Sequence, residues 1–313
     1  MLISMNNTTT KVSVIIPAFN EEKFILKTLE ELQKSSFLEI ILVDNGSSDN
    51  TARIAKALGV TVIDFPDGTI AAVRNRGVKE AKGDVLIFID SDVRVTSEWH
   101  KKLPSVIDFV TANPLMITGY RYHSPTNSSF LNKYWYSRLS GYKAQYINGG
   151  NLITSSKLFQ LVGGFSEDLE TAEDYDFCLK AKEANAVIHD DRDLAVIHDG
   201  YPQSISKFIQ RERWLGKEDV KTWSTFFESK IALISAFNLL IFLTAIVAGF
   251  NGNFIAITVY FIVMYALLFF LTVYKFGMSG IQYMLIMPLV YYLYIWGRTL
   301  SIVDRLLKIH SVK

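Results

Sequence analysis

The sequence predicts an α/β domain with a mostly parallel sheet, followed by a C-terminal α-helical membrane region. Two observations predict this fold class. Through the first part of the chain, short apolar runs rich in β-branched residues alternate with helix-like segments, which favours parallel strands joined by right-handed crossovers. Residues 231–299, in contrast, are almost free of charge. We therefore expect a soluble domain at residues 1–228 and a transmembrane region at residues 229–313.

The composition argues against nucleic acid as a partner and against an oxidising compartment. The 313 residues carry a formal net charge of +1, and no basic stripe stands out along them. The single cysteine, Cys178, cannot form an internal disulfide, and residues 1–10 lack the apolar core of a signal peptide. We expect the soluble part to lie in a reducing cytoplasm.

Three strand and helix units open the chain. Predicted strands cover residues 12–17, 40–44 and 61–65, and predicted helices follow at about 20–34, from 51 and at 70–81. Pro17 ends the first strand because it has no amide hydrogen to donate, and residues 45–49 form a turn that can cap the second helix. No G-x-G-x-x-G turn follows the first strand, so the dinucleotide fold of dehydrogenases is disfavoured.

The fourth predicted strand ends in two carboxylates. Residues 85–89 form an uninterrupted apolar run, typical of a strand that is buried on both faces of a parallel sheet. Asp90 and Asp92 follow it, at the sheet edge where ligands of open α/β sheets bind. Two negative charges there favour a hard divalent cation that carries phosphate oxygens. The alternative is an ordinary aspartate-rich turn.

Two further sites should border the same crevice. Asp44 ends the second strand beside the loop at residues 17–20, where it can accept a hydrogen bond from a nucleotide base or cap the next helix. Arg74 and Asn75 lie on the third predicted helix. A guanidinium there pairs with a phosphate or with a neighbouring carboxylate, although a solvated charge is the commoner case.

Paired glycines precede an acidic helix start in the second half of the domain. Gly149 and Gly150 indicate that the backbone closely approaches another segment or a ligand. Glu173 and Asp174 begin a helix, where carboxylates either satisfy free amides or take a proton from an incoming hydroxyl. His198 ends another strand, and its spacing favours a surface histidine over a metal ligand.

An amphipathic helix and three apolar stretches end the chain. Residues 205–220 suit a membrane surface or the binding of a diphosphate. The apolar stretches are 231–250, 254–274 and 281–297, of which the first two are long enough for a membrane hairpin. The third contains Pro288, so it spans, re-enters or lies against the others. Basic residues flank the apolar region at both ends and favour the cytoplasmic side of the membrane at each end; these are Lys217, Lys221, Lys230, Arg298, Arg305 and Lys308. An odd number of membrane spans cannot place both ends on the same side.

In this order the segments resemble the inverting glycosyltransferase family 2, whose GT-A fold is Rossmann-like. The matching motifs lie at residues 12–22, 43–49, 74–77, 90–92, 163–165 and 173–174, and they cover roughly the first two-thirds of the chain. The resemblance implies that the base and ribose of a nucleotide sugar are held by Pro17, Ala18, Asn20, Glu21 and Asp44, with Arg74, Asn75 and Asp90 at the same substrate.

The resemblance also implies a metal and a general base. Asp90 and Asp92 would hold the diphosphate through Mg²⁺ or Mn²⁺, with Asp92 as direct ligand and His198 as a further ligand. Asp174, with Glu173 beside it, would deprotonate the acceptor hydroxyl during an inverting attack on the anomeric carbon.

Residues 210–214 resemble the Q-x-x-R-W motif of membrane-bound cellulose, chitin and hyaluronan synthases. That motif lies near the acceptor and the diphosphate, so the resemblance implies an acceptor side formed by Gln210, Arg213 and Trp214, with Gly149 and Gly150. We expect transfer of one sugar or a few from a nucleoside diphosphate sugar, with UDP favoured, to a polyprenyl-linked acceptor. The reaction would serve surface polysaccharide synthesis on the cytoplasmic face of a multi-pass membrane protein.

Four other functions remain open. A polyprenyl-phosphate sugar synthase is similar in size, but its pattern does not usually include the Gly-Gly-Phe and Glu-Asp segments. A processive synthase would need a longer membrane tail. A non-catalytic assembly subunit that binds a nucleotide sugar gains little from the dense acids at residues 173–176. A nucleotidyltransferase usually has a glycine-rich phosphate loop after the first strand, and this chain lacks one.

Overall fold

The computed structural model describes residues 10–125, 129–139, 146–278 and 280–307. The chain divides into two compact units. The first unit comprises residues 1–125 and 142–200, and the second comprises 126–141 and 201–313. The domain boundary predicted near residue 228 therefore falls inside the second unit, where α8 (Ile205–Leu215) packs along α12 (Ile281–Leu307).

The described residues of the first unit form ten strands and six α-helices. The strands are β1 (Val12–Ala18), β2 (Glu39–Asp44), β3 (Thr61–Asp64), β4 (Val85–Ile89), β5 (Val93–Val95), β6 (Met116–Gly119), β7 (Tyr122–His123), β8 (Asn151–Ser155), β9 (Val187–Asp190) and β10 (Val196–His198). The helices are α1 (Ile25–Leu32), α2 (Thr51–Ala57), α3 (Ile70–Glu80), α4 (Ser97–Ala112), α6 (Ser156–Leu161) and α7 (Glu173–Glu183). A 3₁₀ turn covers Arg192–Leu194.

A seven-stranded sheet has the order β3-β2-β1-β4-β8-β6-β9. Its pairs are parallel except those that β8 forms with β4 and β6, which are antiparallel. The prediction of a mostly parallel sheet is thus confirmed. A smaller sheet has the order β5-β10-β7, in which β10 runs antiparallel to β5. This pairing places β10 next to the end of β4, although the two strands lie about a hundred residues apart in the sequence. Such a long-range pairing is affordable because the entropy cost of closing a loop rises only slowly with loop length.

Strand β4 is buried along its whole length, as its apolar run predicts. Leu86 and Phe88 face one apolar cluster, in which Phe88 contacts the rings of Phe159 and Phe165. Val85, Ile87 and Ile89 face a second cluster on the opposite side of the sheet. Burial of each such side chain contributes about 1.5–3 kcal/mol, so both faces anchor the strand whose end carries Asp90.

Two predicted elements are shorter in the structure. The segment at residues 115–122, whose sequence favours a single strand, is divided at Gly119. The φ of Gly119 is 152°, and an added Cβ would lie 2.0 Å from the Asn151 carbonyl oxygen. The amphipathic helix expected at 205–220 ends at Leu215, and a 3₁₀ turn covers Glu218–Val220. An added Cβ at Gly216 would lie 2.3 Å from the Ser301 hydroxyl, so a larger residue at that helix end would displace the Ser301 side chain.

The second unit is helical in its described residues. A π-helical turn at Asn132–Tyr136 continues into α5 (Ser137–Leu139), and α8 is followed by α9 (Trp223–Glu228). Three long helices complete the unit, α10 (Lys230–Phe250), α11 (Ile255–Phe276) and α12. All three are long and apolar enough to cross a membrane. Helix α12 continues through Pro288 without a break and ends ten residues beyond the predicted stretch.

Candidate functional site

The loops that follow β1 and β2 are tied together by side-chain hydrogen bonds. Asn20 has a left-handed backbone with φ of 57°, and its amide donates to the Ser47 hydroxyl at 2.9 Å. Its side-chain oxygen accepts from the Ser48 amide at 2.8 Å. The Glu21 amide donates to the Thr51 hydroxyl at 2.7 Å. These bonds hold the two loops together at the sheet edge where the sequence predicts a binding crevice.

Asp44 is buried at the end of β2 and its carboxylate is engaged within its own turn. Both carboxylate oxygens accept from the Ser47 amide, at 3.3 and 3.4 Å, and one accepts from the Ser47 hydroxyl. This is the turn role that the sequence left open, and base binding by Asp44 stays a prediction. Asn45, which the sequence did not single out, exchanges two 2.9 Å hydrogen bonds with the backbone of Gly68.

Arg74 links the end of β4 to the start of α7. Its guanidinium donates to Asp90 Oδ1 at 2.7 Å and forms a second ion pair with Glu173. The side chain is 4% exposed, so the commoner expectation of a solvated arginine was wrong. Burial alone would lower the pKa of Arg74, but the carboxylates of Asp90 and Glu173 outweigh it and raise that pKa. We call these three side chains the Arg74 clamp.

Each of the two paired glycines lies against one member of the clamp. A Cβ added to Gly149 would lie 2.8 Å from the central guanidinium carbon of Arg74. A Cβ added to Gly150 would lie 2.1 Å from Asp90 Oδ2. The Gly150 amide donates to the hydroxyl of Tyr122 at 3.0 Å, and that hydroxyl donates to Asp90 Oδ2 at 3.3 Å. The close backbone approach predicted for this pair is therefore an approach to site side chains.

Asp174 is held by two backbone amides at the start of α7. Its Oδ2 accepts from the Gly149 amide at 3.0 Å, and its Oδ1 accepts from the Tyr175 amide at 2.8 Å. Burial, followed by the negative charge of Glu173, raises the pKa of Asp174 to about 7. A carboxyl group with this pKa is partly ionised at neutral pH and suits proton transfer.

Asn75 binds the predicted Gly-Gly-Phe segment. Its side-chain amide donates to the Phe165 carbonyl at 2.9 Å and accepts from the Phe165 amide at 3.1 Å. Gly164 has φ of 72°, and an added Cβ there would lie 2.9 Å from the Asn75 side-chain oxygen. Asn75 thus positions a loop, and its contact with a nucleotide sugar stays a prediction.

His198 lies beside Asp92, because β10 pairs with β5 and sets His198 opposite Val93. The distance from His198 Nε2 to Asp92 Oδ2 is 3.6 Å, and His198 is buried. The expectation of a surface histidine from spacing was therefore wrong. Gly200 completes the arrangement, since a Cβ there would lie 1.8 Å from Asp92 Oδ2.

The donor atoms around Asp92 fit a divalent cation such as Mg²⁺ or Mn²⁺. Within the described ranges, no three His, Cys, Asp or Glu side chains gather closely enough to hold a metal ion alone. Two protein ligands suit an ion whose other positions take water and substrate phosphates. The excess of negative charge also affects Glu21, because burial and the nearby carboxylates of Asp92 and Asp90 raise the pKa of Glu21 to about 8. A cation would offset this excess.

The Q-x-x-R-W segment lies on α8 in the second unit. Arg213 pairs with Asp304 through both guanidinium branches, with Nε 2.6 Å from Oδ2. Gln210 and Trp214 are exposed. Arg211, which the motif does not specify, donates to the Tyr136 hydroxyl at 3.1 Å. The acceptor role predicted for this motif stays a prediction, and Arg213 already has a carboxylate partner.

The mostly parallel seven-stranded sheet, with one antiparallel strand inserted beside β4, is of the GT-A type. Among solved structures, the chain is similar to the mannosyltransferase PcManGT from Pyrobaculum calidifontis in complex with GDP-Man and Mn²⁺. The TM-score is 0.60 at 16% identity, and the likeness covers 96% of this chain and 88% of that one. The GT-A fold class is confirmed.

Sequence comparison points to one family within this class. Residues 13–161 match the family model described as glycosyl transferase family 2. The chain is 26% identical to glycosyltransferase AglE of Haloferax volcanii over 70% of this chain and 76% of that protein. It is 30% identical to the poly(ribitol-phosphate) beta-N-acetylglucosaminyltransferase TarS of Staphylococcus aureus, over 55% of this chain and 32% of that protein. The sequence comparisons therefore support a family 2 glycosyltransferase, in agreement with the motifs.

Proposed function

We propose that this protein transfers a sugar, with inversion, from a nucleoside diphosphate sugar to a membrane-held, polyprenyl-linked acceptor. The observation that carries the proposal is the Arg74 clamp, in which one buried cation joins Asp90 after β4 to Glu173 at the start of α7. The clamp joins Asp90, one of the two predicted diphosphate-binding acids, to Glu173, the neighbour of the predicted base Asp174. A UDP-sugar remains the favoured donor.

Asp174 is the proposed general base. As the acceptor oxygen bonds to the anomeric carbon, its proton passes to the Asp174 carboxylate. The bond from that carbon to the diphosphate oxygen breaks, and its electron pair leaves with the nucleoside diphosphate. Attack from the face opposite the diphosphate inverts the configuration. Amide bonds from Gly149 and Tyr175 fix the carboxylate for this transfer, and Arg74 holds its neighbour Glu173 as an ion pair.

Asp92 and His198 are the proposed protein ligands of Mg²⁺ or Mn²⁺, with Asp90 at the diphosphate. When bound, such a cation neutralises negative charge on the departing diphosphate. Asp90 stays oriented by Arg74 and by the Tyr122 hydroxyl, so its carboxylate is fixed before substrate binds. The fold shared with PcManGT, whose structure contains GDP-Man and Mn²⁺, is compatible with this substrate and cation class.

A membrane-held acceptor is supported by the three apolar helices of the second unit. We place the glycosyltransferase domain on the cytoplasmic side, because Lys217 and Lys221 precede the first of these helices and Lys230 begins it. A lipid-linked acceptor is then confined to the same surface as the enzyme. The protein would be a multi-pass protein of the cytoplasmic membrane.

The test is sugar transfer by the detergent-purified chain. A panel of UDP, GDP and dTDP sugars is supplied with Mn²⁺ or Mg²⁺ and a membrane lipid extract, and lipid-linked product is measured. We expect metal-dependent turnover of one donor. Asp92→Asn and Asp174→Asn should abolish it, whereas the control Asp176→Asn should not, because Asp176 binds Ser166 and Lys180 outside the clamp.

Two results would contradict the proposal. Full turnover by Asp174→Asn would remove the assigned base. Saturable donor binding without turnover of any donor, with native lipid present, would instead support a non-catalytic assembly subunit.

A further inference from the structure

Tyr175 places an aromatic ring directly beside the proposed base. It is the third residue of α7, and its amide donates to Asp174 Oδ1 at 2.8 Å. Its side chain is 42% exposed. The residue before the helix, Ala172, has a left-handed backbone with φ of 64°, so the chain turns sharply where this acidic segment begins. An exposed ring therefore borders the carboxylate that is proposed to accept the proton.

A second tyrosine supports this ring from the side. The ring of Tyr146 lies 5.5 Å from the ring of Tyr175, with an angle of 85° between the two planes. Edge-to-face contacts of this kind between aromatic rings are favourable. Tyr146 in turn packs against the apolar cluster that contains Phe177 and Cys178. The ring of Tyr175 is thus part of a preformed surface on the first unit.

The charges around Asp174 disfavour an anionic acceptor. The guanidinium of the Arg74 clamp faces three carboxylates, and Asp174 is one of them. Burial, followed by the negative charge of Asp174, raises the pKa of Tyr146 to about 12, and the positive charge of Arg121 does not offset this rise. A bound divalent cation would be balanced by the donor diphosphate that it holds. A phosphate group on the acceptor would therefore be repelled beside Asp174.

The need for a base leads to the same class of acceptor. A phosphate monoester has its second pKa at about 6, so its oxygen is already ionised at neutral pH and needs no base. A sugar hydroxyl is protonated at neutral pH, and a base must take its proton as it attacks. Asp174, with its pKa raised to about 7, is suited to that transfer. Such a base serves an acceptor hydroxyl and has no task with a phosphate acceptor.

We infer that the acceptor is a sugar residue whose ring stacks on Tyr175, so that the enzyme extends a lipid-linked saccharide and does not load a bare polyprenyl phosphate. A pyranose has an apolar face of C–H groups and a rim of hydroxyl groups. An aromatic ring beside a carboxylate matches both features, because the ring contacts the apolar face while the carboxylate takes a hydroxyl proton. The inference rests on the proposed function and gives its acceptor a chemical class.

The reaction on this acceptor lengthens its glycan by one residue. The acceptor hydroxyl oxygen bonds to the anomeric carbon of the donor, and its proton passes to Asp174. The nucleoside diphosphate leaves with the electron pair of the broken bond. The product is a longer saccharide on the same lipid. A separate reaction that attaches the first sugar to the lipid phosphate must therefore supply the substrate.

The first test is the size of the glycan in the product. The detergent-purified full chain is incubated with membrane lipid extract and with the donor that it turns over, radiolabelled in the sugar. Mild acid releases the labelled glycan from the lipid, and mass spectrometry measures its size. We expect a disaccharide or a longer glycan. A released monosaccharide would overturn the inference and leave sugar transfer itself intact, whereas full turnover by Asp174→Asn would contradict the proposed function.

The second test removes the ring. Initial rates are measured over a dilution series of the lipid extract for Tyr175→Ala, for Tyr175→Trp, which keeps an aromatic ring, and for the control Leu179→Ala. Leu179 lies four residues further along the same face of α7 and is 39% exposed.

We expect Tyr175→Ala to raise the extract concentration at half-maximal rate about tenfold, because a lost stacking contact weakens acceptor binding. The maximal rate and the donor KM should change little. Tyr175→Trp and Leu179→Ala should both stay close to the wild-type chain. An equal rise in Tyr175→Ala and Leu179→Ala, or no recovery in Tyr175→Trp, would show that the ring does not bind the acceptor.

Discussion

Both units bury arginines against carboxylates, but the balance of charge differs between them. In the first unit, Arg74 faces three carboxylates, those of Asp90, Glu173 and Asp174. The acids outnumber the cation, and the pKa of Asp174 is raised to about 7 by burial and by Glu173. In the second unit, Arg211, Arg213 and Arg298 face as many carboxylates, namely Glu212, Asp219 and Asp304.

This difference in the ratio of carboxylates to arginines distinguishes a reactive site from a structural ion pair in the same chain. Balanced ion pairs hold helices together and leave no group poised to exchange a proton. An excess of buried acid makes one carboxyl group titrate near neutral pH and creates a place for an external cation. The following predictions test this contrast.

The largest effect should come from removing the cation of the clamp. Arg74→Ala leaves the buried carboxylates of Asp90 and Glu173 without their partner, and loss of one member of a buried pair costs about 3–5 kcal/mol. The matched control is Arg76→Ala on the same helix, whose exposed pair with Glu80 contributes only about 0.3–0.5 kcal/mol. Free energies of unfolding from denaturant titrations measure both. Equal losses in the two variants would show that the clamp does not stabilise the fold.

The second effect is on the pH dependence of transfer. The active form of the base is the ionised carboxylate, and the pKa of Asp174 is raised to about 7. Activity should therefore fall as pH decreases through 7, by roughly tenfold per unit at lower pH, since a base must be ionised to accept the proton. Initial rates at saturating donor from pH 5 to 8 measure this, with donor binding followed at each pH as the control. A flat rate profile across that range would remove Asp174 as the base.

The third effect is on metal affinity. Gly200→Ala would place a methyl group where an added Cβ lies 1.8 Å from Asp92 Oδ2, so the carboxylate must shift away from His198. Disturbed orientation of a ligand typically costs about 10–100-fold in metal affinity. Gly59→Ala is the control for general destabilisation, because its φ of 75° strains an alanine although no atom lies within 4 Å of its Cβ position, far from Asp92 in the sequence. Mn²⁺ titrations in the presence of donor, followed by electron paramagnetic resonance, should separate the two. Unchanged affinity in Gly200→Ala would exclude Asp92 as a ligand.

Much of this fold and of the candidate site could be predicted from short segments of consecutive residues. The apolar run of β4 and the acids that follow it are visible in ten consecutive residues, as are the Glu-Asp pair and the paired glycines. Tyr122 and Gly200 were not predicted, because their roles arise only when β7 and β10 pair in the small sheet. His198 was misjudged for the same reason. The partner of Arg213 lies 91 residues away on α12, and no spacing rule identifies such a pair.

The smallest effect tests the uncharged contacts of the second unit. Asn238 of α10 accepts from the Tyr260 hydroxyl at 2.8 Å and donates to Thr299 at 3.3 Å, so one side chain joins all three long helices. Hydrogen bonds between membrane helices contribute about 0.6 kcal/mol on average and at most about 1.7 kcal/mol. Asn238→Leu should lower the free energy of unfolding in detergent by an amount in this range.

The control for Asn238→Leu is Thr244→Val, on the exposed side of the same helix, where the hydroxyl bonds only to the Ile241 carbonyl. Because that bond stays within α10, its loss should not loosen α12. In Asn238→Leu, by contrast, the end of α12 should detach first, and a spin label at Leu306 should become more mobile. Unchanged mobility of that label, or an equal change in Thr244→Val, would show that the Asn238 contacts do not hold α12 against α10 and α11.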